Sequence, residues 1–139
     1  MPRPRERATA LVLVPAMLLV FIALGAIALD LSAVAGAQRA AERDLAAAAD
    51  DAAGMLDAHA HQLDGSIRID AAGATAVVDA RVSSSDGPGR IVDLQVEVTD
   101  TTVEITARVV SPHLFLRAVP GMADRSISAP VHVRARLQP

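Results

Sequence analysis

The stretch ATALVLVPAMLLVFIALGAIAL, residues 8–29, decides the fold of this chain because it contains no charged residue. A bilayer core is crossed by about 20 apolar residues of α-helix, each of which adds ~1.5 Å. On the insertion scale the Leu, Ile, Val and Phe residues of the stretch favour the membrane by about −5 kcal/mol in sum. We therefore expect a transmembrane helix here.

The charges beside this stretch indicate its orientation. Arg3, Arg5 and Arg7 precede it, whereas Asp30 follows it and the next arginine is Arg39. Arginines close to a membrane helix stay on the cytoplasmic side. We expect a single-pass protein of the cell membrane, with a cytoplasmic N-terminus and an extracytoplasmic C-terminal domain.

A cleavable secretory signal is the alternative interpretation. Ala35 and Ala37 flank Gly36 in the small-x-small pattern that signal peptidase prefers. Cleavage after Ala37 would release a small, β-rich binding module into the medium. The apolar run is longer than the core of a secretory signal, about 7–15 residues, and Asp30 separates the run from the cleavage pattern. We therefore favour an anchor that stays in the membrane.

The composition argues against several kinds of site. The 139 residues include no Cys, Trp or Tyr and carry a net charge of −3. Without Cys there is neither a disulfide framework nor a thiolate metal site, and nothing indicates a nucleic-acid surface. His59 and His61 would diverge by about 200° on a helix and could not share a metal ion. We find no catalytic, cofactor-binding or metal-binding residues, so we expect no enzyme and no cofactor.

Four sections follow one another along the chain. They are a basic tail (1–7), the transmembrane helix (8–29), an Ala-rich extracytoplasmic helix (30–64) and an antiparallel β domain (66–139). Larger apolar residues recur every three or four positions in the third section, which is typical of an amphipathic helix ending at Gly65. These residues are Leu31, Val34, Ala41, Leu45, Ala48, Ala52, Met55, Leu56 and Leu63.

The apolar period changes to two in the fourth section, which predicts strands. We expect an α+β fold whose sheet has four or five strands, the fifth depending on Ile67 and Ile69. Pro130 indicates that the last strand lies at an edge. One sheet face is apolar and must be covered, either by the Ala-rich helix or by another protein. The four main strands are predicted at about 74–82, 92–98, 103–109 and 127–137.

Asp30 has two interpretations at the outer end of the membrane helix. It is either the first solvated residue, which we favour, or the partner of a cation on a neighbouring subunit. Asp30 is one of seven residues that we assign to membrane and assembly contacts. The others are Arg3, Arg5, Arg7, Pro15, Gln38 and Arg39.

The order of these segments resembles the TadE/TadG-like (tight adherence, Flp pilus-assembly) minor pseudopilins. The resemblance rests on Glu6-Arg7-Ala8-Thr9-Ala10 before an apolar run with Pro15, on the span ending at Asp30, and on AVAGAQRAAERDLAAAADDAAG (33–54). The closing stretch LFLRAVPGMADRSISAPVHVRARL (114–137) is similar more loosely.

The resemblance implies a pilin-like fold and an accessory role in a type IVb-like pilus or secretion assembly. Its partners would be other proteins of that assembly, with further copies of this chain as an alternative. Substrates of prepilin peptidase carry Gly where this chain has Ala8, and Glu where it has Leu11, Val12 and Leu13. We therefore expect the anchor to stay uncut.

Overall fold

The computed structural model describes the backbone of residues 4–112, 115 and 126–138, and the side chains of residues 13–111, 115 and 126–138. In this part of the chain three helices precede three strands. They are α1 (Pro4–Ala53), α2 (Ala58–Asp64), α3 (Ala71–Ser83), β1 (Arg90–Val98), β2 (Thr102–Pro112) and β3 (Ser126–Arg136). The predicted α+β class, with a long apolar N-terminal helix followed by an antiparallel sheet, is confirmed.

The chain divides into two compact units. The first unit comprises Met1–Ala33 and His113–Arg125, and the second comprises Val34–Pro112 and Ser126–Pro139. The second unit therefore contains the sheet, the two short helices and the Ala-rich part of α1.

Helix α1 ends earlier than the sequence pattern predicts. The N–H of Gly54 still bonds the carbonyl of Asp50 at 3.2 Å, but beyond it the chain is extended and Leu56 forms an antiparallel bridge with Ile69. The prediction of one helix over residues 30–64 is therefore wrong at this break. Glycine is a poor helix former, and pairing with a second segment satisfies backbone groups that the helix would otherwise bond.

Helix α2 is short and capped at both ends. The Asp57 carboxylate accepts the N–H of Ala60 at 2.9 Å at its start. Gly65 ends it with φ of 73°, and its N–H donates to the carbonyl of His61 at 3.0 Å. Glycine adopts this left-handed conformation without steric cost, so the prediction of Gly65 as a helix cap is confirmed.

Helix α3 occupies the segment predicted as the first strand, residues 74–82. Asp70 begins it by accepting the N–H of Ala72 at 3.1 Å. Ala74 and Val78 are buried while Ala76 between them is exposed, which fits one face of a helix, whereas a strand would place all three on the same face. The strand prediction is wrong because the N-cap and the alanines outweigh the β-branched residues.

The antiparallel sheet has three strands in the described part of the chain, in the order β1-β2-β3, where four or five were predicted. Ile67 and Ile69 add no strand there, since Ile69 makes only the isolated bridge. β1 and β2 form the predicted hairpin, whose turn places the N–H of Thr99 2.9 Å from the carbonyl oxygen of Thr102. β2 pairs with β3 along its whole length, and β3 is an edge strand, as Pro130 predicts.

A β-bulge interrupts β1. Val92 pairs with Arg108 and Gln95 pairs with Thr106, so two residues of β1 oppose one residue of β2. Asp93 lies in the bulge with φ of 53°, a left-handed conformation that Asp tolerates better than most residues. The bulge places Val92 on the same face as Arg108, whereas simple alternation predicts Val92 on the apolar face.

One apolar core joins α1, α3 and the inner face of the sheet in the second unit. The Ala-rich helix therefore covers the sheet of its own chain, one of the two alternatives left open by the sequence. Few of the buried side chains are larger than valine, so each contributes little apolar area. The buried core residues are Ala41, Leu45, Ala48, Ala49, Ala52, Ala53, Ile69, Ala74, Val78, Val103, Ile105, Ala107, Val109, Val131 and Ala135.

Candidate membrane and assembly surfaces

The apolar part of α1 is uncovered. Its large side chains between residues 13 and 29 are exposed, Leu19 by 68% and Phe21 by 63%. An 18-residue window within Leu13–Ala53 has a mean hydropathy of 2.4, and only 6% of it is buried. The helix is long and apolar enough to cross a membrane, and its low burial distinguishes it from a core helix. A signal sequence near an N-terminus shares these properties.

Pro15 lies inside α1 without ending it. Proline has no N–H, so the carbonyl of Leu11 loses its helical partner. Membrane helices accommodate proline more often than helices in water do, so Pro15 agrees with a span. Among the predicted flanking arginines, Arg3 lies outside the described residues, and the side chains of Arg5 and Arg7 lie outside the described part of α1.

Asp30 is buried, with 2% of its surface exposed. Its Oδ1 accepts the backbone N–H of Phe115 at 2.9 Å, a contact between residues of the first unit that are 85 positions apart. The expectation that Asp30 is the first solvated residue is therefore wrong. A bond inside the chain holds the carboxylate, and its pairing with a cation on a neighbouring subunit stays a prediction.

Gln38 and Arg39 belong to the second unit, where they make local bonds along α1. The Gln38 side-chain amide donates to Glu42 Oε1 at 3.1 Å, and the carbonyl of Arg39 accepts from Arg43 Nε at 3.1 Å. Both are contacts across one helical turn, and the side-chain pair Gln38–Glu42 is of the kind that stabilises a helix. Arg39 also lines an open recess of about 650 Å³, together with Glu42, Arg43, Ala46, His132 and Val133.

The outer face of the sheet is polar. His132 Nε2 lies 2.5 Å from Glu104 Oε1, a diagonal pair between β3 and β2. The sequence pattern places His132 on the polar face but gives it no acidic partner, because the partner depends on the register of the two strands. An exposed pair of this kind contributes about 1 kcal/mol or less to stability.

Other polar side chains of the second unit make structural contacts. The Asp51 carboxylate pairs with Arg81 and joins α1 to α3. The hydroxyl of Ser85 donates to the carboxylate of Asp44 at 2.9 Å. Among the described residues, no group of three or more His, Asp or Glu side chains could hold a metal ion.

A second exposed apolar area lies at α2 and the segment after it. Leu56, Leu63 and Ile67 are all more than half exposed, and Leu63 reaches 73%. The sequence pattern conceals this area because it predicts one helix through the segment. A recess of about 390 Å³ lies here, lined by Leu56, Asp57, Ala58, His61, Ser66, Ile67 and Arg68.

Ser66 lowers the pKa of Asp64 beside this recess below the ordinary aspartate value, through its side chain and its backbone N–H, and Arg68 adds a smaller charge effect. The N–H donates to Asp64 Oδ1 at 2.8 Å. The Ser66 hydroxyl has no hydrogen-bond partner within the described part of the chain. We therefore assign the lowering mainly to the N–H, which favours the charged carboxylate.

The residues assigned to membrane and assembly contacts fall in both units. Pro15 and Asp30 belong to the first, and Gln38 and Arg39 to the second. No protein-family model, curated protein or solved structure matches this chain. A function can therefore be proposed only from the contacts of these residues and from the uncovered apolar helix.

Proposed function

We propose that this chain is a membrane-anchored accessory component, minor pseudopilin-like, of a Tad/Flp type IVb-like pilus or secretion assembly. It acts through helix packing and protein–protein contacts and not through catalysis. The observation that carries the proposal is the uneven burial of α1. Its apolar side chains between residues 13 and 29 are exposed, whereas one stripe between residues 41 and 53 is buried in the core.

An uncovered apolar helix needs an apolar environment. In water the exposed side chains of residues 13–29 would make a continuous hydrophobic surface, which lipid or other membrane helices can cover. Gly25 has open space around it: beyond its own helix, no atom of the described residues lies within 4 Å of the position of an added Cβ. Small residues of this kind allow close approach between helices inside a membrane. Packing against helices of other subunits is therefore the mode of assembly that we propose.

The orientation that we propose has the N-terminus in the cytoplasm and the second unit outside it. The three arginines before the apolar run support it, because arginines near a membrane helix stay on the cytoplasmic side. The second unit is then the part that meets extracytoplasmic partners. It offers the polar outer face of the sheet and the exposed apolar area at α2.

Retention of the anchor, and not release after Ala37, is supported by the burial of that residue. Ala37 lies inside α1 and is 1% exposed. An added Cβ on Gly89 would lie 3.3 Å from the Cβ of Ala37, so the two backbones pack closely. Cleavage after Ala37 would remove it from this packing.

Cysteine labelling tests orientation and retention together, because the chain contains no cysteine. We expect a membrane-impermeant maleimide to label Ser128→Cys, on the exposed side of β3, in intact spheroplasts. The control Pro2→Cys should react only after the membrane is permeabilised. The reverse pattern would contradict the orientation. An intact mass starting at Gln38 would contradict retention, and one starting at Thr9 would contradict the expectation that the N-terminus stays uncut.

A photo-crosslinking phenylalanine analogue at Phe21 tests the assembly role in the host cell. Phe21 is exposed in the apolar part of α1. We expect crosslinks to membrane helices of other pilus or secretion-assembly proteins, identified by mass spectrometry, and loss of surface filaments or secretion when the chain is deleted. Crosslinks to lipid alone, together with unchanged filaments and secretion in the deletion strain, would refute the assembly role.

A further inference from the structure

We propose that Phe115 is a lipid-contacting anchor at the outer boundary of the membrane span, held there by Asp30. The partner is the bilayer itself, at the boundary between headgroups and acyl chains. The inference rests on the membrane anchorage proposed above and adds a second point of contact, remote in sequence from the helix.

The position of Phe115 follows from its bond to Asp30. Residues 8–29 span about 33 Å as a helix, which matches the ~30 Å hydrocarbon core of a bilayer. Asp30 is the next residue and therefore lies at the end of that core. The N–H of Phe115 is 2.9 Å from Asp30 Oδ1, so the Phe115 backbone lies at the same depth.

The hydrogen bond between the Phe115 N–H and the Asp30 carboxylate is favourable at a membrane boundary, where little water is available to bond either group. An aspartate carboxylate at a membrane boundary needs hydrogen bonds to replace those from water, and Asp30 is only 2% exposed. A backbone N–H outside regular structure is equally costly near lipid unless it is bonded. The Phe115 N–H donates to the Asp30 carboxylate, and the half-exposed side chain of Phe115 can contact lipid.

The ring of Phe115 is available for that contact, since 48% of the residue surface is exposed. The chain has only two aromatic residues, Phe21 and Phe115, and both belong to the first unit. The core of the second unit contains none among its described residues. Phe21 is exposed within the proposed span, and Phe115 is exposed at its end, where burial of the ring in the bilayer is favourable.

Tryptophan fluorescence tests the proposal directly, because the chain has no Trp or Tyr. The full chain carrying Phe115→Trp is reconstituted into phosphatidylcholine–phosphatidylglycerol vesicles that contain lipids brominated at shallow or deep acyl positions. We expect blue-shifted emission, strong quenching by the shallow bromines, weaker quenching by the deep ones, and protection from aqueous acrylamide. Emission that acrylamide quenches and bromines do not would overturn the proposal, as would shielding from both quenchers, which would indicate a protein contact.

Two matched variants separate this inference from the anchorage on which it rests. Phe21→Trp should be quenched most by the deep bromines. If it is not quenched, the membrane span itself is wrong. If Phe21→Trp is quenched and Phe115→Trp is not, only the second anchor is wrong. Leu63→Trp, at an exposed position of α2, should respond to acrylamide alone, and equal bromine quenching at Leu63 would overturn a specific role for Phe115.

The role of Asp30 is tested in the Phe115→Trp background. Asp30→Asn keeps an oxygen that accepts the Phe115 N–H, whereas Asp30→Ala removes it. We expect the asparagine variant to keep the shallow quenching and the alanine variant to lose most of it. Unchanged quenching in Asp30→Ala would show that Asp30 does not hold Phe115 at the boundary.

Discussion

Asp30 and Asp93 each hold a local backbone geometry by a different means. Asp30 accepts the N–H of Phe115 and links two segments of the first unit. Asp93 adopts φ of 53° inside the bulge of β1, and its carboxylate lies 3.7 Å from Arg108. Neither role can be deduced from neighbouring residues in the sequence, because each depends on a partner in another segment.

Substitution of Asp93 tests whether backbone conformation or charge matters at the bulge. We expect Asp93→Val to lower the free energy of unfolding by about 1–2 kcal/mol, because a β-branched residue is strained in the left-handed region. Asp93→Gly should leave it unchanged or raise it. Urea unfolding of the detergent-solubilised chain, followed by circular dichroism, measures both. Asp93→Asn is the control, and an equal loss in the Asn and Val variants would assign the effect to the ion pair with Arg108.

Asp64 should titrate below the ordinary aspartate pKa of about 3.9. A carboxylate whose pKa is lower in the folded chain stabilises the fold above the unfolded pKa. That contribution is lost as the pH falls through the folded value. Carboxyl-carbon NMR titration measures the pKa. In Ser66→Ala we expect it to stay low, because the N–H remains. A return to the ordinary value would assign the effect to the hydroxyl.

Among the elements, the helices depart furthest from the sequence pattern. The strands at 92–98, 103–109 and 127–137 could be predicted because their apolar residues alternate and one sheet face is buried. The segment at 74–82 could not, since a short run of Ala and Val suits either a helix or a strand. Its N-cap, Asp70, is the signal that would have identified the helix.

The close packing of Gly89 against α1 and β2 gives a test at this scale. An added Cβ on Gly89 would lie 2.6 Å from Val109 Cγ1 and 3.3 Å from the Cβ of Ala37. We expect Gly89→Ala to cost about 1–3 kcal/mol of stability through overpacking. Gly87→Ala, whose nearest neighbour would be 3.6 Å away, is the matched control. Thermal unfolding of the two variants compares them, and equal midpoints would contradict close packing at Gly89.

Residues of the candidate surfaces could be predicted from the sequence only where neighbouring residues along the chain determine their role. The apolar run and its flanking charges can be identified in the sequence, and so can Pro15 inside it. The burial of Asp30 could not be predicted, because the N–H that it accepts belongs to Phe115, 85 residues away. The exposed area at α2 depends on the break after Gly54, which the periodic pattern conceals.

The whole molecule combines an uncovered apolar helix with a small core built mainly of Ala and Val. In the proposed span, the Leu, Ile, Val and Phe residues of 8–29 favour insertion by a modest sum of about −5 kcal/mol, from which Thr9, Pro15 and Gly25 subtract. An arginine at the centre of a span opposes insertion by about 2.5–3.5 kcal/mol. We therefore expect the span to tolerate one such charge and not two.

Arginine substitutions in the proposed span test whether its hydrophobicity accounts for insertion into the membrane. We expect Leu19→Arg to remain in the carbonate-resistant membrane fraction and the double variant Leu18→Arg/Leu19→Arg to be lost from it. Ala47→Arg, at an exposed position of α1 in the second unit, is the control and should behave like the unsubstituted chain. Retention of the double variant would show that the span is held by something other than its own hydrophobicity.

Both edges of the sheet are interrupted, and this limits how copies of the chain can aggregate. β1 carries the bulge at Asp93, and β3 carries Pro130. Bulges and prolines on edge strands hinder the addition of a further strand from another molecule. We therefore expect the two edge strands to resist sheet-to-sheet polymerisation and amyloid-like growth between copies of the chain.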